Sequence, residues 1–346
     1  MKFDRAIEFL EQGIAHKHFP SAVLAIGEKE DLFVCEARGF ISQNSEVTAS
    51  LNTIYDMASL TKILSTTMVT LKLIEKGILC LSDTIGCFFE TPEDKKDITI
   101  LNLMTHTSGM TAGFRLGNLI DSPNEALDAI LNYPLQAMTG GQVIYSDFGY
   151  IILGKILEKI CQMPLDKIAD EYVFHPLEMH STGYHPKGET APTELDSSTG
   201  RYIDGFVHDN NARFLNGISG NAGVFSNIKD CIKFSSMLSR SGITDKGRFL
   251  SAATMKAATR NYTKGKSENR GLGFKLSGGE GNFMGDLCSP NVFGHTGFTG
   301  TSMVIDPDTG LYIVLLTNRV HPTRENTGII RFRKTLHNII MAEYTS

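Results

Sequence analysis

The chain has 346 residues, 41% hydrophobic and 21% charged, ordinary globular proportions that exclude a disordered or fibrous molecule. With 33 basic and 38 acidic residues the net charge is −5 and the pI is near 6.1, so charge gives no reason to expect nucleic acid or an anionic membrane as a partner. The longest apolar stretches, such as Leu311 to Leu316, fall far short of the roughly 18 residues that a membrane-spanning helix needs.

In chain order, MKFDRAIEFLEQGIAHKH places Phe3, Ile7, Leu10 and Ile14 at helical spacing. Asp4, Arg5, Glu8 and Glu11 interrupt the continuous apolar stretch of a secretory signal, so the reading is an amphipathic surface helix on a cytoplasmic protein. Ala22–Ile26 and Leu32–Ala37, around the polar turn Gly27–Asp31, predict a β-hairpin, and Thr53–Met57 is a third short run. From Ser59 the apolar residues Leu60, Ile63, Leu64, Met68, Leu71 and Ile74 follow helical spacing up to a cap at Gly77. Further helices are expected near 99–105, 124–132, 147–161, 165–172, 228–240 and 251–258, with a long loop over 185–205. Strands are expected at Gly271–Leu276, Thr301–Ile305 and Leu311–Leu316, with a turn at Asp306–Gly310 and a terminal helix over about 325–343.

Strands at both ends with helices between predict an α/β (α+β) fold: an antiparallel sheet made by both chain ends, flanked by helices, with an all-helical region inserted. The expected division is residues 1–62 plus 268–346 for the sheet domain and 63–267 for the helical domain, with the active site at their junction. Cys35, Cys80, Cys87, Cys161, Cys231 and Cys288 read as free thiols in this setting.

The pattern S-x-x-K occurs twice, so context must separate the two copies. Ser59 lies where a strand-like run gives way to a helix, and Lys62 follows one turn later on the same face. Lys62 is the only charged residue between Asp56 and Lys72, which reads as a buried lysine. Desolvation alone would lower its pKa and let it accept a proton. Ser226-Asn227-Ile228-Lys229 precedes Asp230 and Lys233 and reads as a solvated helix start capped by Ser226. His175, His180 and His185 match no common zinc spacing, so no metal is expected. His106 and His208 read as structural hydrogen-bonding residues, and no G-x-S-x-G or phosphate-binding glycine loop occurs.

Ser59-Leu60-Thr61-Lys62, Tyr145-Ser146-Asp147 and His295-Thr296-Gly297 resemble, in order, the three motifs of the serine β-lactamase and penicillin-binding protein superfamily, especially its class C-like esterase and DD-peptidase branch. LNLMTHTSGM (101–110), HPLEMHSTGY (175–184), VHDNNA (207–212) and GNAGVFSNIKD (220–230) resemble supporting segments, so the resemblance covers essentially the whole chain. It implies a β-lactamase/DD-peptidase-like fold and acyl-enzyme chemistry with Ser59 as nucleophile, Lys62 and Tyr145 sharing the proton transfer, and the backbone amides of Ser59 and Phe298 as oxyanion hole. It also implies that Asp147, His295, Thr296 and Gly297 bind substrate.

Three expectations attach to these residues. His295 titrates near neutral pH and so holds an anionic group in a pH-dependent way. Gly297 and Gly300 clear a strand edge for a substrate backbone. Asp147, where the family has Asn, only accepts hydrogen bonds; it either pairs with Lys62 and keeps it charged or repels an anionic substrate. The expected function is a serine hydrolase acting on a small-molecule or peptide-like ester or amide, as a carboxylesterase or D-amino-acid peptidase, with no cofactor, nucleic acid or membrane. The alternatives are a β-lactamase or penicillin-binding DD-peptidase, and a non-catalytic binding or assembly protein on the same fold. The intact Ser59, Lys62 and Tyr145 set argues against the last.

Overall fold

A computed structural model describes residues 3–43 and 45–345. The expected hairpin forms, with β1 (Ser21–Glu28) turning at Lys29 into β2 (Asp31–Gly39). Five more strands of the same sheet come from the far end of the chain: β3 (Glu268–Arg270), β4 (Lys275–Gly279), β5 (Phe293–Thr296), β6 (Ser302–Ile305) and β7 (Leu311–Thr317). The strand order is β2-β1-β7-β6-β5-β4-β3, and every neighbouring pair is antiparallel. The sheet is therefore closed where β1 meets β7, with Leu24 opposite Leu315.

Helices α1 (Asp4–Ala15), α2 (Met68–Glu75), α3 (Asp147–Cys161), α4 (Ile228–Ser239) and α5 (Ile329–Tyr344) frame the sheet. Because side chains alternate along a strand, each central strand serves two cores. Leu24 and Ile26 of β1 and Ile313 and Leu315 of β7 pack with Leu10 of α1 and Phe332, Leu336 and Ile340 of α5. Val23, Ala25, Val314 and Leu316 face the other way, into a larger core shared with α2, α3 and α4. Burial on both faces explains why VLAI and LYIVLL read as unbroken apolar runs rather than alternating ones.

Four expectations are corrected. The strand read over Gly271–Leu276 is largely a turn: the Gly271 amide bonds the Phe274 carbonyl at 2.9 Å and Gly273 takes a positive φ of 81°, reversing the chain between β3 and β4. The terminal helix starts at Ile329 instead of 325, because the residues before it brace the site described below. The cap of α4 is Asn227, whose side chain accepts the Asp230 amide at 3.1 Å, while Ser226 is buried with its hydroxyl 2.7 Å from that of Thr182. The 185–205 segment is not structureless, since Leu195–Asp196 pairs with Arg201–Tyr202. All six cysteines are free. Among the described residues no helix is long and apolar enough to cross a membrane.

Candidate active site

The short strand Tyr55–Asp56 runs into a tight turn at Ala58–Leu60, and Lys62–Thr67 then widen into a π-helical turn that leads into α2. This places Ser59 half-buried at the head of an apolar helix and points Lys62 inward with none of its surface exposed. The Lys62 Nζ donates to Ser59 Oγ at 3.0 Å, to Asp147 Oδ1 at 2.7 Å and to the Asn221 carbonyl at 3.0 Å. An ammonium has three N–H groups, and all three are in use.

The expected low Lys62 pKa is thereby overturned. Burial does push it down, but the charge and hydrogen bond of Asp147, with Tyr145 close by, outweigh burial and hold it above the ordinary lysine value. Of the two roles open to Asp147, the structure supports pairing with Lys62.

Asp147 opens α3, which Ser146 caps by accepting the Gly149 amide. Tyr145, one residue earlier, is held from both sides by His106. The His106 carbonyl accepts the Ile144 amide at 2.9 Å, its Nδ1 accepts the Ser146 amide at 3.1 Å, and the two rings lie 4.4 Å apart. Burial, with Arg270 and Lys62 nearby, drives the His106 pKa well down, so the ring is neutral, as an accepting Nδ1 requires. His106→Ala is expected to lower kcat by about 100-fold with little change in KM, since a displacement near 1 Å has that effect on a reacting group. Unchanged steady-state kinetics would refute this bracing role.

The Phe298 amide sits in the turn joining β5 to β6. Thr299 Oγ1 donates to the Asp56 carbonyl at 2.7 Å and Thr301 Oγ1 to the Met57 carbonyl at 3.2 Å, so the turn is fastened to the segment that carries Ser59. Arg319 Nε donates to the Phe298 carbonyl at 2.8 Å, and Arg333 donates to the Gly297 and Thr301 carbonyls at 3.0 and 2.9 Å. Residues just ahead of α5 serve the same purpose, their carbonyls at Arg324 and Asn326 each accepting from Arg319 at 2.7 Å.

The expected reason for the glycines is corrected here. A Cβ on Gly297 would come within 2.1 Å of Thr301 Oγ1 and 2.6 Å of the Met57 carbonyl, and one on Gly300 within 1.9 Å of Thr317 Oγ1. They permit close internal packing of the turn.

His295 is corrected too. It is buried, with Nδ1 2.8 Å from the Thr296 carbonyl and Nε2 without a partner. Burial, reinforced by Arg270 and Lys62, pushes its pKa well below the ordinary histidine value, so it is neutral at neutral pH.

Two cavities meet at Tyr145. One, of about 260 Å³, is lined by Ser59, Asp147, His208, Asp209, Phe298 and Arg324. The other, of about 360 Å³, is lined by His295, Thr296, Arg270, Lys275, Arg333 and Glu268. Its three cations were not singled out from the sequence. Arg270 gave no signal, but Arg333 lies on the buried stripe of α5 with Ile329, Phe332 and Leu336, and a charge on such a stripe marks a special position.

His208 proves to be the expected hydrogen-bonding residue: its ring Nε2 is 3.0 Å from Glu194, whose carboxylate also holds Arg324. Among the described residues no group of three His, Cys, Asp or Glu side chains is placed to hold a metal ion.

Comparison with known proteins agrees with this fold. The Beta-lactamase family profile matches residues 6–336. A protein of Escherichia coli (strain K12) named "Putative D-alanyl-D-alanine carboxypeptidase" is 33% identical over 320 residues, covering 82% of this chain and 73% of its own. Among solved structures, a penicillin-binding protein homologue from Caulobacter crescentus superposes with a TM-score of 0.78 at 17% identity, over 99% of this chain and 97% of that one. EstCE1, a hydrolase with promiscuous acyltransferase activity, gives 0.78 at 20% identity, over 97% of both chains. The fold, the near-complete profile match and the sequence relative together show that the chain belongs to the Beta-lactamase family of serine hydrolases.

Proposed function

We propose that the protein is a carboxypeptidase-type acyl-transfer enzyme: it forms an ester on Ser59 with a peptide ending in a D-residue and releases the terminal amino acid. Ser59 Oγ attacks the scissile carbonyl carbon. Lys62 has no lone pair to accept the serine proton while its three N–H groups are donated, so Tyr145 Oη accepts the serine proton as it gives its own hydroxyl proton to the leaving nitrogen. Lys62 supplies the positive charge against which Tyr145 works. The amides of Ser59 and Phe298 receive the oxyanion, and water then releases the acyl group.

The observation that carries the substrate class is the second cavity. Arg270, Lys275 and Arg333 line it with Glu268 as its one acidic residue, and Arg270 Nε and Arg333 Nε are buried there without partners. Burial and the neighbouring Arg319 push the Arg333 pKa down to about 9, which leaves it cationic at neutral pH. Unpartnered buried donors on cationic groups suit a terminal carboxylate, with Thr296 at the boundary with the nucleophile cleft. The name of the Escherichia coli relative points the same way.

An N-acylated peptide ending in D-Ala-D-Ala is expected to lose D-alanine, measured by chromatography. Amidating its terminal carboxylate is expected to lower kcat/KM by about 100-fold, two charge-assisted hydrogen bonds' worth. Equal rates for acid and amide would overturn the carboxylate reading. Turnover of simple esters only would favour the esterase alternative.

A further inference from the structure

We propose that Asp56 is the positioning residue of the nucleophile turn: its carboxylate clamps the Ala58 and His208 amides and so keeps Ser59 aligned with the Phe298 turn. The inference rests on Ser59 as the nucleophile.

Asp56 is fully enclosed, and each oxygen takes one backbone N–H, Oδ1 from Ala58 at 2.8 Å and Oδ2 from His208 at 2.7 Å. Its own carbonyl accepts Thr299 Oγ1. One residue thus ties together the nucleophile turn, the 207–209 wall of the cleft and the turn bearing Phe298. The clamp acts where the backbone is strained. Ala58, immediately before Ser59, has a φ of +46°, a left-handed conformation unfavourable for a residue with a Cβ. Such a conformation persists only where its surroundings enforce it, and the Asp56–Ala58 bond is that enforcement.

The clamp needs two acceptors. An ionised carboxylate provides them, whereas a protonated carboxyl or a carboxamide turns one into a donor and leaves a buried amide unpaired. Burial pushes the Asp56 pKa up to about 6, against the two amides that favour its charged form. The groups facing it are Asp209, which pushes the same way as burial, Arg213, which opposes it, and His208, whose ring burial keeps neutral with a pKa of about 4. The turn at 297–301 and the strand Phe225–Ser226 contain no ionisable residue. A carboxyl whose folded pKa lies above its unfolded value binds its proton more tightly when folded. Acidification through pH 6 therefore favours folding at this group while it releases the clamp.

The test is hydrolysis of p-nitrophenyl acetate from pH 5 to 8 by the wild type, Asp56→Asn, Asp209→Asn and Ser59→Ala, with melting curves at each pH. The wild type is expected to lose about tenfold in kcat/KM per pH unit below 6 without a matching fall in melting temperature. Asp56→Asn is expected to fold, to lose about 100-fold in kcat at neutral pH with KM little changed, and to show no acid limb. Asp209→Asn should keep the limb. Wild-type rates in Asp56→Asn, or a limb that disappears only in Asp209→Asn, would overturn the proposal. Should Asp56→Asn fail to fold, a flat wild-type profile between pH 5 and 7 would overturn it as well. Undiminished turnover by Ser59→Ala would instead refute the nucleophile assignment, a separate failure.

Discussion

Ser59→Ala is expected to reduce release of D-alanine by about 10⁴-fold or more while the protein stays folded. The loss is large because the nucleophile, the proton acceptor and the oxyanion donors act as one unit. The change in stability is small, about 1 kcal/mol, because Ser59 is only half-buried and Lys62 keeps its bonds to Asp147 and the Asn221 carbonyl. Mass spectrometry after incubation with benzylpenicillin gives an independent reading. A wild-type adduct absent from the variant marks Ser59 as the acylated residue, and ring-opened penicillin without an adduct marks rapid deacylation. An adduct that survives Ser59→Ala would place the nucleophile elsewhere. A chain serving only as a binding scaffold would lose nothing in this variant.

Asp147→Asn should act in a different way. Lys62 is fully buried and Asp147 is the carboxylate paired with it, so the variant leaves a buried ammonium with only the unpaired charge of Asp209 nearby. The expected loss is about 3 kcal/mol, at the lower end for a broken buried pair because Asp147 itself is partly exposed. The pH dependence follows from the signs. In the wild type the pair holds the Lys62 pKa above the unfolded value, so its stabilisation is complete below about pH 10 and is lost only above that. In the variant burial, the largest influence, loses its main opposition, the folded pKa falls below the unfolded one, and the penalty eases as the lysine deprotonates. The gap in melting temperature between the two proteins should therefore narrow from pH 7 to pH 10, and a constant gap would refute the argument. A lysine freed to lose its proton can also accept one from Ser59, so acylation by benzylpenicillin should rise in the variant; mass spectrometry at short times would show it.

Much of the fold was legible because it depends on periodicity. The spacing of Leu60 to Ile74 and the absence of charge around Lys62 announced a helix buried on all sides. The runs VLAI and LYIVLL announced strands covered on both faces. β5 escaped notice because FGHT is four residues long and broken by a glycine. The motif residues were legible, and Ser59, Lys62 and Asp147 do meet. Their protonation was not legible, because it depends on what encloses each side chain. His295 was read with the ordinary histidine pKa, but burial beside Arg270 removes that titration. Gly297 was read as making room for substrate, but what it accommodates, Thr301 Oγ1 and the Met57 carbonyl, comes together only in the folded chain. Arg270 sits in a three-residue strand where no pattern can form.

The meeting of β1 and β7 also sets an order in time. Ala22 lies opposite Thr317, so β1 waits for β7, made much later, before it has neighbours on both sides. Until then β1 presents apolar residues on both faces and an open row of backbone groups along one edge, a state prone to wrong pairing. Ser59 is synthesised long before α5, yet the turn that holds Phe298 is braced from α5, so hydrolytic competence arises only after α5 has emerged. Contacts this distant in sequence make for slow folding, and during that interval the exposed apolar strand is open to misfolding.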